Sequence, residues 1–237
     1  MMLVQNIRRM AEDVWTLIFP RTCCACGATL YRGENVICIK CLIDMPRTNY
    51  HKIMNNEVEK QFWGRVPIVR ATSHFFFVKG SRYQHLLHSL KYKGRGDVGE
   101  FMGVEMGHDL TSDPDFASID IIVPVPLHPA KLRKRGYNQS EMIANGLALS
   151  MHKPVNTTVL RRNRFTETQT RKSRIDRWNN VSNVFTAEHD STIDGRHVLI
   201  VDDVLTTGAT IEGCANALIA ANPRVRISVA TLAFAHN

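Results

Sequence analysis

The chain has 237 residues, 44% of them hydrophobic and 22% charged, with 14 Gly and 9 Pro. At roughly 150 residues per domain this predicts one main domain with a small appendage, and it excludes a disordered, collagen-like or low-complexity scaffold. Thirty Lys and Arg against 22 Asp and Glu give a formal charge of +8, and the excess is local, because Lys131 to Arg177 holds 12 basic and 3 acidic residues. A basic block of that kind points to a phosphate-bearing partner, either a small phosphorylated ligand or a nucleic acid.

In chain order, Leu3, Ile7, Met10, Val14, Leu17 and Ile18 recur at helical spacing and predict an amphipathic first helix packed on the rest of the chain. Arg8, Arg9, Glu12 and Asp13 interrupt this segment, which therefore does not read as a signal peptide. No stretch approaches the ~18 consecutive apolar residues of a membrane span, so the expectation is a cytoplasmic protein with no membrane insertion. Residues 22 to 45 form a cysteine-rich segment, and residues 50 to 70 carry no readable pattern.

Beyond them, residues 71 to 78 read as a strand, and residues 83 to 92 as a helix with Leu86, Leu87 and Leu90 on one face. Residues 101 to 110 read as a helix weakened by Gly103 and Gly107. Residues 119 to 125 are an apolar strand broken by Pro124 and Pro126, and Asn138 with Glu141 resembles a capping box opening a helix that runs to Met151. A strand over 155 to 160, an Arg-rich polar stretch to Val181, a buried strand over 197 to 201, a helix over 209 to 221 and a strand over 225 to 234 complete the series. Buried strands separated by helices predict an α/β fold, a parallel sheet flanked by helices on both faces. The domain expectation is residues 1 to 45 for the first helix and the cysteine-rich knuckle, and 70 to 237 for the main domain.

Five of the six cysteines lie between positions 23 and 41. Cys23 and Cys26 form one Cys-x2-Cys pair, and Cys38 and Cys41 form a second eleven residues on, so four sulfurs can meet at the corners of a tetrahedral Zn²⁺ site. A thiol-redox motif is the alternative, but such motifs come singly, and cytosolic thiols stay reduced. Four cysteines leave no open coordination position, so this zinc is expected to be structural. Cys24 stands as a cramped alternative to Cys23.

The stretch Val198-Leu-Ile-Val-Asp-Asp-Val-Leu-Thr-Thr-Gly-Ala-Thr210 carries the chemistry. Four apolar residues predict a buried strand, and Asp202 and Asp203 follow where it emerges at the carboxyl edge of the sheet, the edge at which such sheets bind ligands. Thr206, Thr207, Gly208, Ala209 and Thr210 then enter a helix, offering hydroxyls, close backbone approach and N–H groups backed by the helix dipole. Carboxylates suit sugar hydroxyls and the loop suits a phosphate monoester, so the pair describes a ribose 5-phosphate. The loop has no lysine, which rejects a Walker A motif. An acidic pair after a strand also occurs in receiver domains, and Thr-Thr-Gly in ordinary helix caps, but the ordered combination favours the sugar phosphate.

Residues 198 to 210 resemble the signature of type I phosphoribosyltransferases, whose ligand is phosphoribosyl pyrophosphate (PRPP) with Mg²⁺. Joined to the double Cys-x2-Cys knuckle, to Val123-Pro-Val-Pro-Leu-His128 and to Arg135-Gly-Tyr-Asn-Gln139, the pattern resembles the ComF/GntX family. That resemblance implies that Asp202 and Asp203 hold the ribose and that Thr206 to Thr210 bind the 5-phosphate. It places a pyrophosphate loop at Pro126, Leu127 and His128 near Lys131 and Arg135. It puts a flexible loop within Arg161 to Arg177, including Arg164, Thr168 and Gln169. It also implies an association with DNA uptake in natural competence. Transferase activity is left open, because residues selecting an acceptor are not recognisable. The competing reading is a single-stranded DNA-binding or adaptor protein of the competence machinery, with Lys131 to Arg177 as the groove and Tyr137, Phe165 and Trp178 available to stack on bases.

Overall fold

The computed structural model describes residues 20–162 and 184–235. The expected first helix and Arg164, Thr168, Gln169, Phe165 and Trp178 lie outside the described residues. The elements are α1 (Ile39–Ile43), α2 (Glu57–Lys60), β1 (Ala71–Phe76), α3 (Gln84–Tyr92), α4 (Gly96–Leu110), α5 (Pro114–Ala117), β2 (Ile121–Pro124), α6 (Pro129–Arg135), α7 (Gln139–Met151), β3 (Leu160–Arg162), β4 (Phe185–Ala187), β5 (His197–Leu205), α8 (Ala209–Ala221) and β6 (Arg226–Phe234).

The main sheet has the order β1-β6-β5-β2, and each of its pairings is parallel. Successive residues of a strand point to opposite faces, so β5 feeds two cores. Leu199 and Val201 join Phe75, Leu90, Met102 and Ile143 on one face. Val198 and Ile200 join Phe62, Ile211, Cys214 and Leu218 on the other. Both sides of the strand are dry, which is why it reads as an unbroken apolar run rather than an alternating one.

The strand expected over 155 to 160 is not continuous. Val155 makes a single parallel bridge to Ile122, after which Asn156 accepts hydrogen bonds from the backbone N–H groups of Thr158 (2.9 Å) and Val159 (3.0 Å) and turns the chain. The chain then enters β3, which pairs antiparallel with β4 in a separate ribbon. An Asx turn inside an apolar stretch outweighed its strand propensity.

The helix read over 101 to 110 begins at Gly96, and its glycines are what bring it against α7. A Cβ at Gly103 would collide with the carbonyl oxygen of Ile143, and one at Gly146 of α7 with that of Glu100. The two backbones therefore approach more closely than side chains permit. Positions that weaken the helix as an isolated element are the contact surface of the packed one.

The knuckle is built into the same apolar cluster. Cys23, Ala25, Leu30, Val36, Cys41 and Met45 are buried in one cluster with Phe75, Leu86 and Met102. Tyr83, at the start of α3, donates its hydroxyl to the Cys41 carbonyl at 3.0 Å.

Residues 50 to 70, silent in the sequence, are organised by polar side chains. Asn56 caps α2 through the N–H groups of Val58 and Glu59 and ties back to the Ala71 carbonyl at 2.9 Å. Arg70 is buried against Glu59 (2.8 Å), Asp115 (3.0 Å) and Asp113 (3.2 Å).

Candidate functional site

The connections fix where a ligand can sit. From β2 the chain runs through α6 and α7 to Val155, outside β2, whereas from β5 it runs through α8 to β6 on the opposite side. The two strands lie side by side with connections leaving in opposite directions, which opens a crevice at their carboxyl ends. Pro126, Leu127 and His128 follow β2 there, and Asp202 and Asp203 lie on β5.

β5 is longer than the sequence suggests. It continues to Leu205, with Asp202 opposite Thr231 and Leu205 opposite Phe234 on β6, while β2 ends at Pro124 opposite Val201. The acidic pair thus sits just beyond the end of β2, backed on its other side by β6.

Each carboxylate has one oxygen engaged. Asp202 Oδ1 accepts from the Ser140 hydroxyl at 2.8 Å and from the Asp203 N–H at 2.9 Å. Asp203 Oδ2 pairs with the Lys91 ammonium at 3.0 Å. Burial first, and then the neighbouring Asp203 charge, lift the Asp202 carboxyl to about 7. Ser140 reaches the pair because Asn138 caps α7, accepting from the Ser140 N–H at 3.3 Å and donating its own amide to the Val125 carbonyl at 2.9 Å. The helix start is thereby pinned to the end of β2.

The phosphate-type loop opens α8. Gly208 has φ +75°, the left-handed region that a side chain adopts only with strain, and it serves as the N-cap. Thr206, Thr207, Ala209 and Thr210 are exposed around it. The first-turn N–H groups of a 13-residue helix have no intrahelical partners, so the loop presents donors and a positive dipole end to an anion. Arg65 donates to the Thr207 carbonyl at 2.8 Å and pairs with Glu212, and Phe62 lies against Gly208. The segment without a sequence pattern therefore buttresses this loop.

The basic residues expected beside the crevice are on α6. Lys131, Arg133 and Lys134 are exposed, and Arg135 stacks over Tyr92 with its guanidinium carbon 5.6 Å from the ring centre. Arg161 is on β3 in an exposed pair with Glu188 at 3.1 Å.

Sequence reasoning missed Lys91, Ser140, Arg65 and Phe62. Ser140 carried a usable signal, since it follows the cap residue Asn138. Lys91 follows the buried ridge ending at Leu90 and looks like any solvated helix position.

A second cluster lies at the knuckle. The sulfurs of Cys23, Cys26, Cys38 and Cys41 all lie within 4.8 Å of one another, and among the described residues this is the group able to hold a metal ion. Cys26 and Cys38 are 3.8 Å apart, close to the ~3.8 Å edge of a tetrahedron with ~2.3 Å metal–sulfur bonds. Cys23, rather than Cys24, supplies the fourth sulfur. Burial works against the Cys23 thiolate, but N–H groups of Cys26, Cys38 and Ala25 hold the thiol down to about 7. Burial pushes Cys41 up to about 12, and a cation among the four sulfurs would reverse that. The donor set therefore fits a thiolate-bound metal. The acidic pair forms no such cluster, so a Mg²⁺ ion there would need ligand phosphates to complete its shell.

The phosphoribosyl transferase domain family matches residues 137–237, a span that includes α7, the acidic pair and the loop opening α8. The chain is similar to the DNA utilization protein YhgH of Escherichia coli, 33% identical over 138 residues, which are 56% of this chain and 60% of that one. It is 36% identical over 93 residues to competence protein F of Haemophilus influenzae, covering 39% of this chain and 41% of that one. To competence protein ComFC of Bacillus subtilis it is 29% identical over 112 residues, covering 47% and 43%. Over its C-terminal part the chain is thus similar to the phosphoribosyl transferase domain family and to proteins named for competence and DNA utilization. The match spans about three fifths of the length of the first of these relatives. No described helix is long and apolar enough to cross a membrane.

Proposed function

We propose that this ComF-like protein binds Mg²⁺-loaded PRPP in the crevice between β2 and β5, and that it does so as part of DNA handling in natural competence. The observation that carries the reading is the continuity of β5, the acidic pair, the Gly208 turn and α8, in that order along one edge. Asp202 and Asp203 take the ribose hydroxyls, and the N–H groups and hydroxyls from Thr206 to Thr210 take the 5-phosphate. Pro126 to His128 border the diphosphate, with Lys131 and Arg135 nearby on α6. Mg²⁺ arrives on the diphosphate and neutralises part of its charge, while the protein orients the sugar and excludes water. The metal of the knuckle is Zn²⁺ in a structural role, as a closed four-sulfur shell requires.

Calorimetry with Mg·PRPP tests this. The expected result is saturable heat that falls at least tenfold in affinity in the Asp202→Asn, Asp203→Asn double variant. No heat with the native protein overturns the reading.

A second reading, single-stranded DNA binding at the same face, is favoured by the exposed Lys131, Arg133 and Lys134 on α6 and by the names of the relatives. Oligonucleotide affinity that drops steeply between two salt concentrations supports it.

A further inference from the structure

Each aspartate of the acidic edge has one oxygen tied down and one free. Among the described residues, Asp202 Oδ1 is taken by Ser140 and the Asp203 N–H, and Asp203 Oδ2 by Lys91, while no partner meets Asp202 Oδ2 or Asp203 Oδ1. Two free acceptors on neighbouring residues match the two donors of a vicinal diol.

The groups that hold the other two oxygens come from different helices. Ser140 comes from the first turn of α7, and Lys91 from the last turn of α3. Both helices belong to the layer packed against Leu199 and Val201, to which α3 contributes Leu90 and α7 contributes Ile143. Lys91 is 27% exposed at its side chain and Asp203 13%, so the pair is shielded enough to keep its geometry.

We propose that Lys91 and Ser140 are positioning residues for pentose recognition: they fix one oxygen of each aspartate so that the free pair accepts from the 2- and 3-hydroxyls of a ribose phosphate, and they thereby set preference for ribose over 2-deoxyribose. This rests on the pentose-phosphate reading above. Lys91 also serves a charge role. Two carboxylates on adjacent residues repel each other, and the Lys91 ammonium, 3.0 Å from Asp203, offsets that repulsion without a metal from the protein. The groups facing Asp202 are Asp203 on its own strand, Lys91 from α3, Ser140 from α7 and Cys214 from α8, the last a thiol held well above its ordinary range first by burial and then by Asp202.

The test compares ribose 5-phosphate with 2-deoxyribose 5-phosphate by calorimetry for the native protein and for Lys91→Met, Lys91→Arg and Ser140→Ala. The native protein should favour the ribose form. Lys91→Met should lose about tenfold on ribose 5-phosphate and little on the deoxy form, Lys91→Arg should recover most of the preference, and Ser140→Ala should lose it in part. In an Asp203→Asn background, Lys91→Met should cost nothing further, because the partner through which it acts is gone. Carboxyl titration of the ligand-free protein by carbon-13 NMR adds a readout independent of sugar: the Asp202 midpoint should rise in Lys91→Met and stay in Lys91→Arg. If the native protein binds neither sugar phosphate, this proposal and the pentose-phosphate reading both fall. If it binds ribose 5-phosphate and Lys91→Met binds it equally well, or if the Asp202 midpoint does not move, this proposal alone is overturned.

Discussion

Asp202 is lifted to about 7 by burial and by the Asp203 charge beside it, so the folded protein holds a proton there that the unfolded chain releases near pH 4. Because the folded state binds that proton more tightly, stability falls as pH climbs from about 4 to about 7, and the full penalty remains above that window. An Asp202→Asn variant keeps an oxygen to accept from Ser140 and removes the charge. It should therefore be more stable than the native protein at pH 8, by on the order of 1–3 kcal/mol, with the gain shrinking toward zero below pH 5. Urea unfolding at the two pH values measures this, and an equal effect at both would refute the electrostatic cause. The same variant should bind PRPP worse, the trade expected where a binding site retains charge at the expense of stability.

At the scale of elements, α4 and α7 show how propensity and packing compete. Gly103 costs α4 roughly 1 kcal/mol in intrinsic helix preference relative to alanine. An alanine there would drive its Cβ into the Ile143 carbonyl on α7, and overpacking of that kind costs roughly 1–3 kcal/mol. Because the collision is with rigid backbone, the second effect is the larger, and Gly103→Ala should destabilise the protein by up to about 2 kcal/mol, read as a lower urea midpoint at unchanged slope. Since α7 also carries Asn138 and Ser140, the same substitution should weaken ligand binding without touching the crevice. The Gly208 turn obeys a local rule instead: its φ of +75° needs glycine whatever surrounds it, and that is why the sequence around it is readable.

For the whole molecule, the question is whether the knuckle is an appendage. Its buried residues share one apolar cluster with β1, α3 and α4, and Arg82, beside α3, points a guanidinium at the Cys41 sulfur at 3.6 Å. Lys91 is on that same helix α3, so the four-cysteine cluster and the acidic edge flank one element. Removing the metal should accordingly do more than unfold residues 22 to 45. A chelator, or Cys41→Ser, should lower the melting temperature of the entire protein by several degrees and reduce PRPP affinity; a melt unchanged after verified metal loss would show that the knuckle stands alone.

The parallel sheet, the clustering of the four cysteines, the acidic pair at the end of a buried strand and the glycine turn that opens α8 were all legible from residue order. Each depends on chemistry confined to a few neighbouring positions: an apolar run, a ligand spacing, a glycine at a turn. Three things were not legible. The stretch after Val155 broke because one Asn side chain turned it; residues 50 to 70 took shape around a buried Arg70 and the capping Asn56; and Lys91 and Arg65 came to the crevice from 112 and 142 positions away from Asp203 and Thr207. A side chain's long-range partner leaves no trace in its local pattern, because an exposed helix position and an ion-paired one look alike until the helices are packed. Sequence determined the order of apolar strand, acidic pair and glycine turn, and tertiary structure alone decided which charges hold those groups in place.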